Sequence, residues 1–302
     1  MRVLIALDAT PECGDIVKAV AQRPWPAETQ FLLLHVLDPF PFAKAPVTLE
    51  RALRAAEAQL QNVCNPLCSR GWDVDREVVV GRPRQAIARI AGSWKSDLLV
   101  VGANEMTALT RLLLGSTARA VLRHSPCSVE ILRLTPKPEA ANNGGMRILV
   151  ATDGSHCSTA ALCAVAAMPW PAGSVAKVIS LPEPFLPLGA FAYLDLKEIE
   201  HQNQAAVADA KRYVMAGAEL LEKSGLKTLT GTPEPLDSDA REIVNEAGRW
   251  QADMIVVGSH GRHGFDRMTM GSVSEHVALH APCSVEVIRE PEATKHEEER
   301  KE

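Results

Sequence analysis

Between Val256 and Ser272 the chain reads VVGSHGRHGFDRMTMGS, an apolar run that passes directly into a loop of glycines, histidines and arginines. Glycine permits positive φ and close approach of backbone to a ligand, which is the expectation for Gly258, Gly261 and Gly264. Gly271 and Ser272 stand where a following helix is expected to start. The free N–H groups and dipole of a helix start attract an anion, and the Ser272 hydroxyl adds a donor. His260, Arg262, His263 and Arg267 supply further cationic donors. This is chemistry suited to a phosphate chain. Glycines after a strand also serve tight turns for steric reasons alone, so the loop by itself leaves both readings open.

The same frame occurs earlier as VVGANEMTALTRLLLGS, Val100 to Ser116, within a chain that repeats itself. MRVLIALD at Met1 to Asp8 returns as MRILVATD at Met146 to Asp153, AVAQRPWP at Ala19 to Pro26 as AVAAMPWP at Ala164 to Pro171, and HSPCSVEILR at His124 to Arg133 as HAPCSVEVIR at His280 to Arg289. The offset grows from 145 to 156 residues, so the second copy carries 11 more, placed between Phe185 and Gly231 and within GTPEPLDSDAREI. Two domains follow, 1–135 and 146–290, joined by a Pro-, Asn- and Gly-bearing linker at 136–145 and followed by a charged tail at 291–302.

Each copy alternates Val/Ile/Leu-rich runs with longer helical patterns. In the first, RVLIALD, QFLLLHVLD, DVDREVVVG, SDLLVVG and SVEILRL read as strands. GDIVKAVAQR, TLERALRAAEAQLQNVCNPLCSRG, PRQAIARIAGSWK and LTRLLLGSTARAVLRHS read as helices. Apolar strands separated by helices imply a parallel sheet covered on both faces, so each copy is expected to be a doubly wound five-stranded α/β domain. Such sheets bind ligands at the carboxyl ends of their strands, at the switch in strand order. Attention therefore falls on the loops after Asp8, Val36, Gly81 and Gly102, and after Asp153, Leu181, Gly231 and Gly258.

Bulk properties limit the class. A chain of 302 residues with 46% hydrophobic and 23% charged residues is an ordinary folded composition. A net charge of -5 argues against the broad basic surface of a non-specific nucleic-acid binder. No apolar run approaches membrane-spanning length and no targeting segment precedes Asp8, so the expected location is cytoplasmic, with no membrane or nucleic-acid partner. Seven cysteines cannot all pair within one chain, and reduced thiols are the default. Cys64 and Cys68 lack a matching ligand pair for a metal. Cys13 and Cys157 read as small helix residues.

Gly258-x-x-Gly261, nine residues, then Gly271-Ser272 resembles the nucleotide motif of the ATP-binding branch of the universal stress protein family. SVSEHVALHAPCSVEVI resembles that family's closing helix and strand, and Asp153 at the end of RILVATD fits it too. The resemblance covers both copies. It implies an adenine-nucleotide α-hydrolase-like fold and an ATP-binding domain, with or without Mg, usually dimeric and acting in stress adaptation by signalling. Carried over by position, it implies that Asp153 sits at the base or ribose edge and that Leu181 meets the adenine. Gly258, Gly261, Gly271 and Ser272 would then hold the phosphates with Val273 beside them, and His260 and Arg262 would lie near. Asp153 also reads as a helix N-cap, and the two roles are compatible. The final strands SVEILRL and SVEVIRE resemble the edges through which domains of this family pair, so the copies are expected to pair within the chain. A further homodimer is compatible with twofold symmetry.

The first copy departs from the motif. Asp8, Val36, Gly102, Gly115 and Ser116 keep their places, but Glu105 occupies the second glycine position. A carboxylate 4 Å from a phosphate charge is repelled by about 1 kcal/mol in water and about 4 kcal/mol at an effective dielectric of 20. Site one is therefore expected to bind ATP much more weakly or not at all, while still admitting adenosine or a less charged ligand. His35, within an apolar strand, and His124 and His280, near helix ends, read as structural. Arg111 and Arg267 recur and are either phosphate ligands or solvated. The apolar segment Pro182 to Asp195 is expected to be covered, over the nucleotide site or on a partner. Three functions stand: an ATP-binding stress module, a slow nucleotide hydrolase or phosphotransferase, and a nucleotide-free interaction scaffold. The second lacks an acidic metal-ligand pair near the loop.

Overall fold

The computed structural model describes residues 1–8, 10, 12–43, 46–103, 114–134, 144–183, 196–233, 238–262 and 270–290. In the first copy the elements are β1 (Arg2–Leu7), α1 (Cys13–Gln22), β2 (Gln30–Leu37), α2 (Pro46–Val63), α3 (Asn65–Cys68), β3 (Asp73–Val80), α4 (Pro83–Ser93), β4 (Leu98–Gly102), α5 (Ser116–His124) and β5 (Ser128–Leu132). The second copy repeats the order as β6 (Arg147–Ala151), α6 (His156–Ala167), β7 (Val175–Ile179), α7 (Leu196–Lys223), β8 (Lys227–Gly231), α8 (Asp239–Trp250), β9 (Met254–Gly258), α9 (Ser272–His280) and β10 (Ser284–Ile288).

Two helix expectations are corrected. The long helix ending in NVCNPLCSRG is broken, α2 stopping at Val63 and α3 starting at Asn65. Pro66, which has no N–H to donate, lies in the first turn of the new helix, where none is needed. In the closing helix of the first copy, α5 starts at Ser116 with Gly115 in extended geometry as its N-cap, so Leu114 and Gly115 lie outside it, while residues 109–113 of the expected helix lie outside the described residues.

The strands form one ten-stranded sheet in the order β3-β2-β1-β4-β5-β10-β9-β6-β7-β8. Each copy is a parallel 3-2-1-4-5 arrangement, and the copies join through β5 and β10, which run antiparallel with Val285 opposite Ile131, Glu286 opposite Glu130 and Val287 opposite Val129. The expected pairing of the copies within one chain is thus realised. Central strands are buried along their length, as in β9, while the outer strands β3 and β8 are largely exposed. One face of the sheet carries a core continuous through both copies, from Leu4, Leu99 and Ile131 to Val285, Ile255 and Leu149, covered by α4, α5, α8 and α9. The opposite face holds two separate cores, one under α1 to α3 and one under α6 and α7.

Polar groups at the seam repeat the same symmetry. Arg133, just past β5, donates to Ala278 O of α9 at 2.7 Å and to Cys283 O at 3.3 Å. Its counterpart Arg289, just past β10, donates to Leu122 O and Arg123 O of α5 at 2.9 and 3.0 Å. Each copy therefore places a guanidinium against the carbonyl end of the other's closing helix, where the dipole favours a cation. A third arginine breaks the symmetry. Arg23 pairs with buried Glu130 at 2.5 Å and lies 3.8 Å from Glu286, but the repeat puts Met168 where a second arginine would complete the set.

Candidate functional site

In the second copy the switch in strand order lies between β6 and β9. Asp153 follows β6 and is half-buried. Its Oδ1 accepts from the Ser155 amide at 3.0 Å, and its Oδ2 accepts from the Arg262 amide at 3.0 Å. The N-cap of α6 is Ser155, whose side chain accepts from the Ser158 amide, so the expectation that Asp153 caps this helix is corrected. Asp153 instead ties the β6 loop to the loop after β9. Burial tends to raise its pKa, but hydrogen bonds from Ser155, Ser158 and Arg262 outweigh it and hold the carboxyl below its ordinary value.

The glycines of this loop act differently from expectation. Neither Gly258 nor Gly261 has positive φ. Gly258 is required because a Cβ there would lie 2.6 Å from the backbone carbon of Cys157 and 2.8 Å from the Ser158 nitrogen, at the start of α6. Gly261 is required because its Cβ would come 2.8 Å from Asp153 Oδ2. Among the described residues of the site, the left-handed one is Gly154 at φ +78°, with the Tyr213 ring of α7 packed where its Cβ would stand. Gly271 is the N-cap of α9, its N–H donating to Ser259 O at 2.9 Å. Ser272 and Val273 are exposed at the first turn of that helix, and Leu181 is half-buried against the continuous core.

Charges around this loop are partly neutralised among themselves. The Arg262 guanidinium pairs with Glu183 at 3.3 Å and lies 5.6 Å from the Tyr213 ring centre. His260 Nδ1 is 3.0 Å from the Ser259 hydroxyl. Asp239, at the start of α8, has its pKa raised by burial first, then by Glu183, with Arg262 opposing and Asp153 adding. Tyr213, Gly154, Glu183 and Asp239 were not picked out from the sequence. The Asp-Gly pair at 153–154 was a usable turn signal, whereas Tyr213 sits mid-helix with no local mark. His263, Gly264 and Arg267 lie outside the described residues, as do Glu105, Arg111, most of the linker, the tail and residues 184–195 of the apolar segment.

In the first copy the corresponding switch point opens into a cavity of about 670 Å³ lined by Asp8, Val36, Gly102, Gly115 and Ser116, all five of the residues singled out there. Asp8 Oδ1 accepts from the Thr10 hydroxyl at 2.6 Å and the Thr10 amide at 3.2 Å. Gly102 faces Ile16, whose Cδ1 would lie 2.6 Å from an added Cβ. His35 and Glu12 also line the cavity, and His35 Nδ1 is 3.0 Å from Leu7 O. His35 is hydrogen-bonded as expected, but it also belongs to the wall of the cavity.

Comparison with known proteins agrees with this doubled arrangement. The family model described as "Universal stress protein family" matches twice, over residues 1–133 and 146–289. The chain belongs to the universal stress protein family. A curated universal stress protein of Mycolicibacterium smegmatis is 25% identical over 306 residues, covering 95% of this chain and 96% of its own. One from Methanocaldococcus jannaschii is 32% identical over 149 residues, covering 48% of this chain and 82% of its own. The crystal structure of a universal stress protein from Archaeoglobus fulgidus has a TM-score of 0.63 at 18% identity, covering 97% of each chain, and shares the fold. Among the described residues of this universal stress protein, no helix is long and apolar enough to cross a membrane, and no group of three or more His, Cys, Asp or Glu side chains is placed to hold a metal ion.

Proposed function

We propose that this tandem universal stress protein binds ATP through the loop of its second copy, and that bound nucleotide sets the conformation or partner affinity through which it acts in a stress response. The observation that carries the reading is the bare Cα of Gly261. It packs against the Asp153 carboxylate, where a Cβ would come 2.8 Å from Oδ2, and so holds the loop after β9 to the end of β6 at the switch point, with the exposed first turn of α9 closing the same loop. A loop held in this way in front of a helix N-terminus suits contact of that helix start with a phosphate chain. Ser272 and Val273, exposed on the first turn of α9, would hold phosphate, while Asp153 and Leu181 would meet the nucleoside end. Arg262 already neutralises Glu183, which lessens repulsion of a polyanion.

Calorimetric titration of nucleotide-stripped protein with MgATP tests the proposal, and the expected stoichiometry is one per chain. Gly261→Glu, which copies the first repeat, is expected to abolish that binding without unfolding the protein. Binding unaffected by this substitution would overturn the assignment. A turnover assay under excess MgATP separates a binding module from an enzyme, because rates of about 1 per second or more belong to the ordinary range of catalysis.

A further inference from the structure

At the seam, Val285 and Val287 of β10 face the continuous core, so Glu286 between them faces the other side of the sheet, and Glu130 of β5, directly opposite, does the same. Both glutamates are buried there with Arg23, the C-cap residue of α1. No second arginine completes the set, since the repeat places Met168 at that position. Arg23 Nη1 sits on Glu130 at 2.5 Å, while its Nη2 stands 3.8 Å from Glu286, too far for a hydrogen bond. Among the described residues neither Nε nor Nη2 of Arg23 has a hydrogen-bond partner. A buried donor without an acceptor is costly, and the Glu286 carboxyl is the acceptor within reach. Closing the gap takes a movement of roughly 1 Å.

Few other groups can act on Glu286. Burial pushes its pKa up, Arg23 opposes and Glu130 adds, which leaves it at about 7. Of the elements packed on β10, β9 has no ionisable residue, and α6 has His156 at its exposed start with Cys157 and Cys163. Glu275, His276 and His280 belong to α9, on the opposite face of the sheet. Besides Arg23, the first helix brings buried Cys13 and the exposed pair Asp15 and Lys18.

We propose that Arg23, Glu130 and Glu286 form a proton-operated latch between the copies. With a proton on Glu286, the guanidinium stays on Glu130. Release of that proton to solvent leaves a second carboxylate, which draws Nη2 across the gap so that Arg23 bridges both strands. Arg23 ends α1, so its displacement pulls a helix of the first copy toward a strand of the second. The proton thereby changes how the two copies are held together, whether or not nucleotide is bound.

Trp25 reports on the latch, because the Arg23 guanidinium lies 4.6 Å from its ring centre. The test is the fluorescence of the full chain from pH 5 to 9, with the spectrum of Trp25→Phe subtracted to isolate this ring. Wild type is expected to show a one-proton transition with its midpoint near the raised value of Glu286, about 7. Glu286→Gln should abolish the transition. Glu130→Gln, which gives Arg23 wholly to Glu286, should move it to lower pH by about one unit or more. A transition that persists in Glu286→Gln would overturn the proposal, since another group would then be titrating. So would the absence of any Trp25 transition in wild type, or a midpoint that Glu130→Gln leaves in place. Arg23→Met, which copies the second repeat, must also abolish the transition and serves if Glu286→Gln does not fold.

Discussion

Glu286→Gln tests the seam between the two copies. Glu286 and Glu130 face each other across β5 and β10, both buried, and share the single cation of Arg23. Arg23 lies closer to Glu130, at 2.5 Å against 3.8 Å. Burial therefore pushes Glu286 up from 4.5 to about 7, with Arg23 pulling it down and Glu130 pushing it further up. A carboxyl with a raised folded-state pKa keeps its proton in the native state after the unfolded chain has lost it. Its contribution to stability is greatest below the unfolded value of 4.5 and declines as pH rises to about 7, then stays level. The span corresponds to about 3 kcal/mol, an upper figure for a pair that relaxes when charged. Glutamine is neutral throughout. Urea unfolding of wild type and Glu286→Gln at a series of pH values reads the difference directly, and the variant is expected to gain about 3 kcal/mol on wild type between pH 4.5 and 7. A difference that does not change with pH would refute the reasoning, as would one that grows only on the acid side.

Arg289→Ala is expected to cost about 2 to 3 kcal/mol in urea unfolding, because it strips charged donors from Leu122 O and Arg123 O at a partly buried helix end. Arg133→Ala should cost a similar amount through α9, and unchanged midpoints would show that water replaces both caps. Gly258→Ala is expected to destabilise by about 1 to 3 kcal/mol, since its Cβ meets backbone that cannot turn aside. Gly261→Ala, meeting a carboxylate oxygen, should cost less in unfolding and more in MgATP titration. Asp153→Asn should lower stability at neutral pH, with the deficit closing in acid. The wild-type contribution is present above the ordinary value of 3.8 and lost as pH falls through the lower folded value. A deficit that persists in acid would place the cause elsewhere.

Much of this protein was legible one residue at a time. The strands were readable because buried parallel strands need apolar residues on both faces, as in LLVV of β4 and MIVV of β9. The family resemblance made the seam legible as well, since SVEIL and SVEVI match the edges through which its domains pair, and these are the strands that pair here. The glycine frame pointed to the loops at the switch points, and the cavity of the first copy is lined by the residues chosen there. The reason each glycine is needed was not legible. Gly258 answers to the backbone of α6 and Gly261 to a carboxylate 108 residues away, neither of which a local pattern encodes.

Periodicity, turn chemistry and the repeat are short-range or self-referential signals, and they determined the element order and the doubled domain and pointed to the loops at the switch points. Tertiary structure alone decided what meets at distance. It set Tyr213 against Gly154, turned the Arg262 side chain to Glu183, crossed Arg133 and Arg289 between copies, and gave two buried glutamates one arginine. The physical reason is that a charge or ring is stabilised by whatever the packed chain brings within a few ångströms of it, and sequence neighbours carry no record of that partner until the sheet has closed.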